Sequence, residues 1–339
     1  MIRHEHILLG HGSGGRLTRE LVEELFLPAL RNPHLATLTD AAVLGALPAG
    51  KPALTTDAFV VDPLVFPGGD LGYLSVCGTV NDLAVAGARP SWLTWALILE
   101  EGLDRELLET VVQGAARAAR EAGVEIVAGD TKVVPHGKGD RVFAVTAGLG
   151  VVPESRRLGD EHIEAGDLVL VSGTLGDHGA TILANRHELE IPALRSDCAP
   201  LNALVEQVLE TGADVRSMHD PTRGGLATTC NETAQRSGLR IVLEQRDIPV
   251  RDDVMVACEL LGVEPLYLAC EGRLVLWVPE RDAERVLACL RDQPGGEAAA
   301  IVGHVEAHSN GHAPLVLRTA VGGEHPLDAL SGMDLPRIC

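Results

Sequence analysis

A chain of 339 residues that is 46% hydrophobic has material for about two cores, but only 3% of it is aromatic, so packing falls to Leu, Val, Ile and Ala. Too few rings are present for a base-stacking platform, and a formal net charge of −20 repels nucleic acid and anionic membranes alike. Carboxylates can still receive a polyphosphate when divalent cations bridge the two.

Met1–His6 has no long apolar run, and no uninterrupted apolar span of membrane length follows. The seven cysteines are odd in number and include no close C-x-x-C pair, which argues against a disulfide framework and a zinc ribbon and makes the cytoplasm the expected setting. Cys77, Cys230, Cys258 and Cys289 lie in apolar or helical stretches and are expected to be buried hydrophobes.

In chain order, the glycine-rich Gly10-His11-Gly12-Ser13-Gly14-Gly15 precedes a helix-like segment, Leu17–Leu27. Glycines before a helix can bring backbone N–H groups to a phosphate, although this is neither a Walker nor a dinucleotide fingerprint. Two short apolar segments then carry acids: Thr39–Val43 holds Asp40, and the strand Leu54–Val61 holds Asp57. Leu71–Ala88 has helical spacing and contains Asn81-Asp82, Trp92–Leu99 reads as a strand, and Leu103–Ala122 is an amphipathic helix stopped by Gly123. Val124–Ala128 is a strand leading into Gly129-Asp130-Thr131-Lys132, and Arg141–Val152 returns as another. Acids beside glycine at strand ends are where α/β sheets present ligands.

The charged, glycine-containing stretch Pro153–Gly166 marks a boundary between two α+β halves. The second half alternates strands (168–171, 240–243, 274–278, 299–305 and 315–318) with helices (after 179, 201–211, from 226, 253–261 and 281–291). Between them lie the turns Gly173–Gly179 and Met218–Gly225 and the small-residue segment Ala269-Cys270-Glu271-Gly272-Arg273. The expected division is 1–153, 154–330 and a mobile tail, 331–339.

Two features carry chemistry. Asp40, Asp57, Asp82, Asp130 and Asp220 stand at element ends or inside apolar segments, and an oxygen-only set favours Mg2+ or Ca2+ over zinc. Lys132, two residues from Asp130, places a cation near a developing phosphate charge. The second feature is Cys339, the last residue. Pro336 holds the chain extended, so the thiol is expected to project from the globule, with Arg337 favouring the thiolate and the adjacent α-carboxylate opposing it. A frayed terminus that merely ends in cysteine is the plain alternative.

The motifs Asp40-Ala-Ala-Val43, Thr55-Thr-Asp-Ala58, Asn81-Asp-Leu-Ala84, Gly129-Asp-Thr131 and Asp220-Pro-Thr-Arg-Gly-Gly225 resemble, in order, those of the aminoimidazole ribonucleotide synthetase-like ATP-binding superfamily. Within it, Gly10–Gly15, Gly129–Lys132, Ser172–Gly179, Met218–Leu226 and the ending Pro336-Arg-Ile-Cys339 are similar to the HypE family of carbamoyl dehydratases in hydrogenase maturation. Selenophosphate synthetase fits less well, because Ser13 stands where that enzyme typically carries a reactive Cys or selenocysteine.

The resemblance implies a two-domain α/β (α+β) fold, ATP and Mg2+ as cofactors, and a homodimer formed through the N-terminal sheets. It implies nucleotide contacts from Gly12, Ser13, Gly14, Gly15, Asn81, Thr131, Thr222, Arg223, Gly224 and Gly225, and metal contacts from the five aspartates. Cys339 is then the carbamoyl acceptor from HypF, and its S-carboxamide is dehydrated to a cyanide for HypC–HypD. Glu271 is the candidate base for the amide nitrogen and Lys132 a phosphate-side cation, while His178 and His11 are weaker candidates for touching the tail or nucleotide. A non-catalytic thiol carrier is the competing class.

Overall fold

A computed structural model describes residues 4–307, 313–330, 335 and 337–339; Met333, Asp334 and Pro336 of the terminal stretch lie outside the described residues. The segment read as one helix opens with a 3-10 turn, Leu9–Gly12, and is α-helical at Arg16–Leu21 (α1) and Leu27–Leu30 (α2), with a π-helical stretch, Val22–Phe26, between them. Pro28 lacks the N–H an α-helix needs there, which fits a local change of helical winding.

The first sheet consists of β1 (Lys51–Phe59), β4 (Arg89–Glu100), β5 (Glu125–Val134) and β6 (Val142–Val152), in the order β1-β6-β4-β5. A small ribbon, β2 (Val65–Phe66) and β3 (Gly69–Asp70), leads into α3 (Leu71–Val85), whose first turn is capped by Asp70 accepting from the Tyr73 N–H at 2.9 Å. Helix α3 is buried on nearly every side, Asp82 and Val85 being its partly exposed positions. Helix α4 (Arg105–Ala122) covers it with Leu108, Val111, Val112 and Ala115 and ends at Gly123 in a left-handed conformation.

The second sheet gathers β7 (Asp167–Val171), β8 (Ser217–His219), β9 (Arg240–Glu244), β10 (Val275–Pro279), β11 (Ala300–Glu306), β12 (Leu315–Arg318) and β13 (Glu324–Pro326), in the order β13-β12-β9-β11-β7-β10-β8. Around it pack α6 (Asn202–Glu210), α7 (Gly225–Ser237) and α9 (Glu280–Arg291), while α5 (Asp177–Arg186) and α8 (Asp252–Leu261) pack on each other. One apolar cluster joins α3, α4 and the first sheet to α5, α8 and Ile338, so the terminal segment is built into the core.

That placement overturns the projecting thiol. Ile338 is buried, and the tail lies along the residues that follow β1: the Val60 N–H donates to Cys339 O (3.2 Å), the Asp62 N–H to Arg337 O (3.3 Å), and Arg337 Nε to Val60 O (2.9 Å). Arg337 also pairs with Asp140, which occupies its guanidinium away from the thiol. Of the four cysteines expected to be buried, Cys77, Cys230 and Cys258 are, whereas Cys289 is partly exposed.

Candidate functional site

The docked tail closes a cavity of about 260 Å3 lined by Asp57, Asp82, Asp220, Arg223, Glu271 and Cys339, with Thr222 and Gly78 also on its wall. Each functional group arrives from a different element. Asp57 lies near the end of β1, Asp82 sits in the last turn of α3, Asp220 follows β8, and Glu271 precedes β10. Glu271 is 2% exposed, and its Oε1 has no hydrogen-bond partner. An unpaired buried carboxyl oxygen is costly, and here it lines the cavity that holds the terminal thiol.

The peptide around Glu271 is fixed from three directions. Asp197 accepts from the Glu271 N–H (3.2 Å) and the Gly272 N–H (3.3 Å), Asn81 Nδ2 donates to Glu271 O (3.1 Å), and the Cys270 N–H donates to Pro221 O (2.9 Å). A Cβ on Gly272 would lie 1.9 Å from Asp197 O, so glycine is required for this close approach. Asn81 therefore departs from its expected nucleotide role. Its amide also donates to Ala199 O (3.1 Å) and accepts from the Leu201 N–H (2.7 Å), so it braces α3 against the loop that presents Glu271.

Burial and mutual repulsion set the electrostatics. Burial first, then Asp82, pushes the Asp57 carboxyl up to about 6, and burial with Asp82 pushes Asp220 up to about 7. Asp82 is also raised by burial, against the pull of Thr55, whose Oγ1 donates to its Oδ2 at 2.7 Å. Glu271 is raised well above the usual range by burial and then by Asp220, Asp197, Asp57 and Asp82. Burial, with Glu271 next, pushes the Cys339 thiol up to about 12. Among the described residues no group of three or more His, Cys, Asp or Glu could hold a metal ion unaided. The oxygen donors Asp57, Asp82 and Asp220 fit a hard divalent cation that shares its coordination with phosphate oxygens.

The remaining predicted residues lie elsewhere, so the five aspartates do not form one set within the chain. The strand register places Asp57 in a row with Thr146, Trp95 and Gly129 and places Asp130 in the neighbouring row with Ala96, Val145 and Ala58. Adjacent rows face opposite sides of a sheet. Asp57 thus faces α3, whereas Asp130 and Lys132 stand on the exposed face at the other edge, paired to each other at 2.8 Å. Asp40 is exposed and lines a second cavity, of about 300 Å3, together with Asp130, Thr131, Trp95 and Phe26.

The glycine-rich segment packs on β5, the strand that carries Asp130: a Cβ on Gly12 would lie 2.3 Å from Val133 N. The Ser13 hydroxyl donates to Gly10 O (2.9 Å), the Gly14 N–H donates to Thr18 Oγ1 (3.0 Å), and Gly15 caps α1. Thr131 donates its N–H to Asp130 Oδ1 (2.8 Å). Gly224 and Gly225 are buried at the start of α7 with φ of +76° and +57°, behind the cavity-lining Thr222 and Arg223. His11 is buried and accepts from the Leu8 N–H (2.8 Å), away from the tail, whereas His178 does touch it, Nε2 lying 2.9 Å from Ile338 O. The sequence reading missed Asp197 and Arg186; the Arg186 guanidinium donates to both Asp62 O (2.7 Å) and Arg337 O (2.8 Å). No local pattern distinguishes either residue from an ordinary surface charge.

Residues 38–152 match the AIR synthase related protein N-terminal domain, and residues 164–314 match its C-terminal domain. The chain is 48% identical over 342 residues to carbamoyl dehydratase HypE of Rhodobacter capsulatus, an alignment covering 100% of this chain and 99% of that one. The crystal structure of hydrogenase maturation protein HypE in complex with ATP superposes with a TM-score of 0.93 at 47% identity, covering 98% of this chain and 99% of the other. A chain in the crystal structure of a HypE–HypF complex superposes with a TM-score of 0.79 at 42% identity, covering 91% and 99%.

Proposed function

The chain belongs to the HypE family of carbamoyl dehydratases within the AIR synthase related proteins, and on that premise we propose that it dehydrates a carbamoyl group carried on its own Cys339, using ATP, in the maturation of [NiFe]-hydrogenase. The observation that carries this reading is the enclosure of Cys339 with Glu271, whose buried Oε1 has no partner, in one acid-lined cavity. A thiol meant only to dock partners would gain nothing from such a wall.

The chemistry follows from the groups present. Cys339 S–C(=O)–NH2 has a poor leaving group in its oxygen. Transfer of the γ-phosphoryl group of ATP to that oxygen turns it into phosphate. Loss of both N–H protons, with departure of phosphate, leaves S–C≡N together with ADP. Glu271 is placed to receive a nitrogen proton, and enclosure by the tail keeps water from the activated intermediate. Asp57, Asp82 and Asp220 would hold Mg2+, which supplies charge neutralisation to the nucleotide phosphates.

Lys132, Asp130, Thr131, Asp40 and Gly12–Gly15 complete the nucleotide site when a second copy supplies them. The exposed sheet face that carries Asp130 and Lys132 also exposes Leu54, Ile98 and Val145, a surface suited to pairing sheets in a homodimer. In this reading the carbamoyl group arrives from HypF, in keeping with a related HypE solved in complex with HypF, and the cyanide passes to HypC–HypD in the cytoplasm.

The test is intact-mass analysis after incubation with HypF, carbamoyl phosphate and ATP. A carbamoyl adduct on Cys339 should convert to a cyano adduct, and Cys339→Ala should take up neither. An adduct that maps to another cysteine, or a carbamoyl adduct that persists with ATP present, overturns the proposal.

A further inference from the structure

The tail is gripped through its main chain, and the centre of that grip is a histidine. Two successive carbonyls and one oxygen of the terminal carboxylate are received: Arg337 O by Arg186 (2.8 Å) and the Asp62 N–H (3.3 Å), Ile338 O by His178 Nε2 (2.9 Å), and Cys339 O by the Val60 N–H (3.2 Å). His178 lies in the first turn of α5 with 0% exposure, its ring edge-on to Phe66 at 5.5 Å between centroids.

The ring's tautomer follows from its partners. Ile338 O can only accept, so Nε2 must carry the hydrogen. Nδ1 then accepts from the Ser196 hydroxyl at 2.8 Å, and Ser196 Oγ in turn accepts from the Cys198 N–H at 3.0 Å. Ser196 is itself anchored, its N–H donating to Pro67 O at 2.9 Å. A relay of oriented hydrogen bonds therefore ends on the carbonyl that immediately precedes Cys339.

We propose that His178 is the positioning residue for the dehydration step: held in one tautomer by Ser196, it grips Ile338 O and so sets the place of Cys339 beside Glu271 without touching a reacting atom. The proposal rests on the dehydratase reading above for its catalytic consequence only. Because the grip is on the main chain, it is the same whether the sulfur carries hydrogen, carboxamide or cyanide. It also divides the two half-reactions, because Cys339 is only partly exposed while docked and must leave the cavity to meet a carbamoyl donor.

The experiment uses the full-length protein and follows iodoacetamide labelling of Cys339 by peptide mass. Loss of one hydrogen bond to a buried carbonyl should speed labelling in His178→Ala by about 10-fold. His178→Gln, whose side-chain amide can donate to the same carbonyl, should label near the wild-type rate. On loaded protein, His178→Ala should lose about 10-fold in the rate of cyano-adduct formation while carbamoyl acceptance from HypF is unchanged or faster and the KM for ATP holds. A folded His178→Ala that labels at the wild-type rate overturns the proposal, as does His178→Gln behaving like His178→Ala, or both half-reactions falling together. Should His178→Ala not fold, Ser196→Ala is read in its place: faster labelling supports the grip, and unchanged labelling overturns it. The labelling arm needs neither HypF nor ATP, so the grip and the proposed activity fail separately.

Discussion

At the scale of single residues, the docked and undocked positions of Cys339 have opposite chemistry. Inside the cavity, burial and Glu271 push the thiol up to about 12, which keeps it protonated and a poor nucleophile. A carboxamide on the sulfur would leave no titrating thiol in the cavity. In the proposed mechanism Glu271 would have a different task, removing nitrogen protons after phosphoryl transfer. Glu271→Gln should still accept the carbamoyl group and bind ATP while cyano-adduct formation falls by about 10²–10⁴-fold in a timed mass measurement. Formation at the wild-type rate would assign the protons to another group.

At the scale of elements, α3 does more than fill the core. Asn81 ties its last turns to Ala199, Leu201 and Glu271 across more than a hundred residues of sequence. Asn81→Ala leaves a buried N–H and two carbonyls short of a partner, so denaturant unfolding should show a loss of about 2 kcal/mol or more. If ATP affinity falls with stability intact, Asn81 acts on the nucleotide and the bracing role is wrong. The boundary expected at 153–166 has its own anchor: buried Asp160 accepts from Ser217 (2.6 Å), lies 2.8 Å from His219 Nε2, and accepts from Arg236, so the linker is pinned to the strand that leads into Asp220.

For the whole molecule, the acid cluster couples protonation to stability. Asp220, raised to about 7, binds a proton in the folded state over a range where the unfolded chain has lost it. Its contribution is therefore present below the ordinary carboxylate value and is lost as pH rises from about 4 towards 7. Asp57 behaves in the same sense up to about 6, while the buried His178 and His11, both held below the usual imidazole value, act oppositely. The clean measurement is thus a difference. In EDTA without nucleotide, the melting temperature of Asp220→Asn relative to wild type should rise as pH goes from 4 to 7 and level off above that. A constant difference would remove Asp220 from the cluster.

The proposed sharing of the site between two copies makes a second whole-molecule prediction. Lys132→Ala and Glu271→Gln should each be inactive as homodimers, whereas exchanged mixtures should regain activity from roughly a quarter of the wild-type number of sites, because half the dimers are mixed and each of these has one intact composite site. No recovery after exchange would place both residues in one subunit's site.

Periodicity made the elements legible, because alternation along β1 and the 3.6-residue spacing of α4 are local properties of the chain. Local context also marked Cys339, Glu271, Asp57, Asp82 and Asp220, each a reactive or charged group set among small or apolar neighbours. The two-residue register of β-strands and the order β1-β6-β4-β5 decided that Asp57 and Asp130 face opposite sides of one sheet at opposite edges, roughly 14 Å apart. No spacing along the chain encodes that separation. The docked tail was equally out of reach of a sequence reading. Its partners His178, Arg186 and Val60 are more than 150 residues away, and a main-chain grip leaves no signature in the side chains of the segment being held. Residue type and local setting mark which groups can react; which of them share a cavity depends on strand order and on hydrogen bonds between distant segments, and so emerges only in the folded chain.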